Sequence, residues 1–174
     1  MVLWHYRGTI QALIVVAIFI WALRKGAAPE KATASVLAMM TIAVWVYRLL
    51  HMNRGEIGVV RGFSGLEPGY LAIDLLGFVA LAAVALPANR IYPTWMAGFQ
   101  LTAVATHFAT ASAAETLPRS YALLNMAPFY CVMAACVAGL IAHRRRERRI
   151  GPYRSWRTGF ASSPEKTRRW PPGV

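Results

Sequence analysis

Along the chain, apolar residues gather in five long runs and polar or charged residues collect between them. Residues 8–23 carry ALIVVAIFIWAL and stop at Arg24 and Lys25; residues 32–50 read ATASVLAMMTIAVWVYRLL. Residues 69–86 read GYLAIDLLGFVALAAVAL, residues 92–111 YPTWMAGFQLTAVATHFATA, and residues 120–142 SYALLNMAPFYCVMAACVAGLIA. Each run is close to the roughly 17–25 residues that a spanning helix needs. None alternates with period two, and inside lipid only helices or closed barrels satisfy every backbone group. The pattern predicts an all-α integral membrane bundle of five transmembrane helices, or four if the first is not one of them. One arginine precedes the first run and no small-x-small cleavage site lies before Arg24, so a retained helix is expected rather than a signal peptide. The third and fourth runs are joined only by PANRI and should pack as an antiparallel hairpin.

The segments between the runs are short. Residues 51–68, HMNRGEIGVVRGFSGLEP, form the longest connection, too small for a domain but able to cap one end of the bundle. Residues 143–174 are polar, basic and proline-containing, and are expected to form a disordered tail.

Composition agrees with this picture. Of 174 residues, 57% are apolar and 15% charged. A soluble domain runs about 45–50% apolar and roughly 25% charged. The length allows one domain, with no room for a separate soluble catalytic unit. Lys and Arg number 19 against 7 acids, giving a net charge of +12. Their placement matters more than their sum. With five spans, residues 24–31, Arg90 and the tail fall on one side and carry 14 of the basic residues; the other side carries 5. The positive-inside rule then expects the N-terminus outside and the tail in the cytoplasm.

Ionisable groups at membrane depth are the candidates for chemistry. Asp74 is the one acid well inside a run, about 7–8 Å from the outer end at ~1.5 Å per residue. On antiparallel helices His107 and Asn125 fall in the same layer, with Arg48 and His51 beside or above it. Gln100, His107 and Thr110 share one face of the fourth helix. A structural reading has Asp74 paired with Arg48 or His107 and the amides bonded across helices. A functional reading uses the same Asp and His to pass a proton, an ion or a small solute. A b-type haem on His51 and His107 is the metal version, weakened by their different depths; otherwise no cofactor is expected. Cys131 and Cys136 match no redox or zinc spacing and read as small apolar side chains. There is no HExxH, GxSxG or phosphate-binding loop, so a non-enzymatic protein is expected.

The tail opens with Arg144, Arg145, Arg146, Arg148 and Arg149, followed by Arg154, Trp156 and Arg157. Such a stretch is a stop-transfer anchor. It also suits an anionic cytoplasmic leaflet or an acidic protein partner; nucleic acid ranks last, because nothing in it forms a groove reader.

The phrases LAIDLLGFVALAAVAL, ANRIYPTWMAGFQLTAVATHFA and LPRSYALLNMAPFY, with the RKGAAPEK turn, resemble a family of small multi-spanning membrane proteins of alphaproteobacteria. The resemblance spans residues 10–145 and implies a bacterial inner-membrane location without an assigned activity. The leading expectation is an accessory or assembly subunit of a larger membrane complex. The alternative is a proton-, ion- or small-solute-handling protein centred on Asp74 and His107.

Overall fold

The computed structural model describes residues 2–52, 68–112, 118–151 and 156. These form five helices: α1 (Val2–Lys25), α2 (Ala28–Met52), α3 (Pro68–Ala85), α4 (Tyr92–Ser112) and α5 (Pro118–Ile150). Among the described residues no strand forms. Consecutive helices pack against one another, and α5 also touches α1 and α2, which closes the bundle.

Tertiary pairs fix the antiparallel order. At one end, Glu30 of α2 meets Arg90 of the α3–α4 turn, and Thr33 meets Tyr92 of α4. At the other, Tyr47 of α2 lies edge-on to Tyr70 of α3, with ring centroids 5.0 Å apart. The core between these ends draws on all five helices: Val15, Ile18, Leu37, Leu81, Met96, Val132, Cys136 and Leu140 are buried. The outward faces are apolar too, with Leu13, Met39, Leu76 and Val79 all more than half exposed. A helix hydrophobic all round belongs in the core of a large protein or in lipid.

Among the described residues, four helices are long and apolar enough to cross a membrane: Arg7–Lys25, Ala28–His51, Pro68–Ala85 and Met126–Ile150. The fourth run, expected as a span like the others, is not among them. Helix α4 has the length, at 21 residues, but not the apolarity. The reason is its polar complement, much of which is turned inward: Gln100 is fully buried, Thr106 9% and His107 8% exposed.

The boundary expected at residue 143 also moves. Helix α5 continues to Ile150, so Arg144–Arg149 are helical rather than part of a disordered tail. Arg and Glu are good helix formers, and cations suit a helix C-terminus. Gly151 ends the helix in the left-handed region at φ 74°, its N–H donating to the Glu147 carbonyl at 2.9 Å.

Candidate functional site

Asp74 sits six residues into α3, and His107 five residues before the end of α4. Because the two helices run antiparallel, these positions come level. The His107 Nε2 lies 2.8 Å from Asp74 Oδ2, and Gln100 Nε2 donates to Asp74 Oδ1 at 2.9 Å. The same amide reaches the Asp74 carbonyl at 3.3 Å. Both carboxylate oxygens are therefore held by α4 side chains one to two turns apart. Gln100 Oε1 is buried without a hydrogen-bond partner among the described residues. The Asp74 side chain keeps 24% of its surface exposed while that of His107 keeps 9%. The contact between His107 Nε2 and Asp74 Oδ2 sets an imidazole and a carboxyl group within hydrogen-bond distance across α3 and α4.

Of the residues expected beside or above this layer, His51 lies at the end of α2, on the Tyr47 ring that meets Tyr70 one turn before Asp74. His51 Nδ1 lies 2.9 Å from the Tyr47 carbonyl one turn back, and its ring stacks on Tyr47 at 4.1 Å. Arg48 is exposed and reaches toward α1, where a side chain at Gly8 would meet its guanidinium at 3.6 Å. Asp74 thus takes His107 and Gln100, not Arg48, as its side-chain hydrogen-bond partners. Asn125 falls in α5, one turn before the buried Pro128, but its side chain and that of Thr110 lie outside the described residues.

At the opposite end is a polar cluster that the sequence reading did not find. Glu30, fully buried in the first turn of α2, pairs with Arg90, whose side chain is 6% exposed. Thr33 donates to the backbone of Pro29 and Glu30 and lies 3.5 Å from the Tyr92 hydroxyl. A signal existed: the orientation argument already puts residues 24–31 and Arg90 on one side, with a single acid, Glu30, between them.

Of the tail, Arg145, Arg146, Arg148 and Arg149 are exposed on the last turns of α5 and Arg144 is half-buried. Trp156 forms an isolated antiparallel bridge with Ala88 in the α3–α4 turn. Arg154 and Arg157 lie outside the described residues. Cys136 is buried in the core and Cys131 half-buried, both as free thiols. Among the described residues, no three His, Cys, Asp or Glu side chains group closely enough to hold a metal ion.

No known protein family, curated protein or solved structure matches the chain. Roles for Asp74, Gln100 and His107 therefore rest on their geometry.

Proposed function

We propose that the chain is a small, non-enzymatic, multi-pass protein of a bacterial inner membrane, N-terminus out and C-terminus in, that takes up and releases protons at Asp74 and His107. The observation that carries this reading is the carboxylate held on both oxygens between α3 and α4. Gln100 fixes the plane of the carboxyl group, His107 accepts or returns the proton, and the partly exposed Asp74 exchanges it with the outer side. An ionisable pair within a transmembrane bundle is costly to keep, which favours a working role.

Reconstitution in vesicles with a trapped pH-sensitive dye tests it. Asp74→Asn and His107→Gln should each lower proton movement at least tenfold while the melting temperature stays near that of the parent. Undiminished proton movement in either variant would falsify the reading.

A second reading, an accessory or assembly subunit, is favoured by the outward face of α4. Thr94, Gly98, Thr102, Ala105 and Ala109 are exposed along the helix that lacks spanning apolarity, and a side chain at Gly98 would meet nothing within 4 Å. Small residues let helix backbones approach closely in lipid, so the occupant would be a transmembrane helix of another subunit. Mild solubilisation from native membranes should then recover a stoichiometric protein partner. A lone monodisperse species would sink this reading and leave the proton site standing.

A further inference from the structure

A cavity of about 470 Å³ opens between the α1–α2 turn and α5, lined by Arg24, Lys25, Gly26, Ala27, His143, Arg144 and Glu147. Its size falls within the roughly 300–1,000 Å³ of small-molecule sites. Three permanent cations face it against one carboxylate. The two cations from α1 and the one from α5 are brought together only by the fold. Gly26 and Ala27, the two residues between α1 and α2, also line the cavity. A side chain at Gly26 would come within 2.6 Å of the Ala22 carbonyl and 2.8 Å of Glu30 Cβ, so this wall stays bare. His143 is 7% exposed, its Nε2 3.9 Å from Glu147 Oε2. Glu147 is the one carboxylate in the lining, and its side chain is half exposed.

The setting identifies the anion. The apolar stretch of α1 ends at Lys25 and that of α2 begins at Ala28, so the cavity lies where both helices meet the polar boundary of a membrane. Leu23, just before Arg24, and Ile141, one turn before Arg144, are exposed apolar residues beside it, suited to an acyl chain. We infer that this cavity holds the phosphodiester headgroup of one anionic phospholipid, clamped by Arg24, Lys25 and Arg144 between α1 and α5. Basic pockets between transmembrane helices on the cytoplasmic side are suited to such headgroups. The inference rests on membrane insertion but not on the proton site.

Native mass spectrometry of the full chain in mild detergent tests it, with phosphatidylglycerol, phosphatidylcholine or inorganic phosphate added. The parent should retain one phosphatidylglycerol at least tenfold better than phosphatidylcholine. Arg24→Gln/Lys25→Gln/Arg144→Gln should lose that preference, whereas Arg145→Gln/Arg148→Gln/Arg149→Gln, with the same change in charge, should keep it. Arg144→Gln alone should weaken retention about three- to tenfold, which gives a reading even if the triple variant does not fold. Equal retention by both triple variants, or equal loss, would overturn the site. Displacement of the lipid by millimolar inorganic phosphate would overturn the lipid as occupant. Failure of the parent to enter detergent micelles or vesicles would instead count against membrane insertion.

Discussion

Glu30 and Arg90 show how much one side-chain pair can hold. Both are buried, and removing one partner of such a pair leaves an uncompensated charge that costs about 3–5 kcal/mol. Arg90→Ala should therefore lower the thermal melting point in detergent sharply. The double variant Glu30→Gln/Arg90→Gln should melt closer to the parent, because no bare charge remains; a double variant as unstable as Arg90→Ala would contradict this. At the residue scale the sequence was informative for Asp74 and His107. Both sit at similar distances from the same end of neighbouring antiparallel helices, so helical rise alone brings them level. It was uninformative for Glu30 and Arg90, which stand where apolar runs meet loops and read as solvated charges. Burial there depends on how two turns pack, and no local pattern records that.

At the scale of elements, glycines report how close the helices come. A side chain at Gly139 of α5 would fall 2.6 Å from the Tyr92 ring of α4, whereas one at Gly98 meets open space. Gly139→Ala should destabilise the α4–α5 contact by about 1–3 kcal/mol. Gly98→Ala should be neutral or stabilising by up to about 1 kcal/mol, since Ala is the better helix former. Melting curves of the two variants check the contrast, and equal losses would refute it. Gly151→Ala should unwind the last turn of α5, because a left-handed residue with a Cβ costs roughly 1–2 kcal/mol. Faster hydrogen exchange across residues 147–151, with the core unchanged, would be the sign of it. Hydrophobic runs located all five helices to within a few residues on their apolar sides. They missed the charged extension of α5, since lipid-based reasoning ends a helix at the first arginines although the backbone continues. They also counted α4 with the others, although its polar residues are accommodated by neighbours and not by lipid.

Across the whole molecule, the two ends differ in chemistry. One gathers Arg24, Lys25, Glu30, Arg90 and the arginines of α5; the other carries the Tyr47, His51 and Tyr70 rings. The five helices alternate in direction, so the start of α1 and the end of α5 fall at opposite ends of the bundle. On the proposed orientation, reporter fusions should place the C-terminus in the cytoplasm and an N-terminal tag outside; both termini on one side would rule out five crossings. In the sequence, alternating loops separate 14 basic residues from 5, and the proposed orientation rests on that asymmetry. What it could not convey is where the chain goes after α5. The bridge from Trp156 to Ala88 returns it to the α3–α4 turn. Residue 156 is thereby tied to the turn that joins the two helices carrying Asp74 and His107, so a pull on Trp156 acts first on α3 and α4.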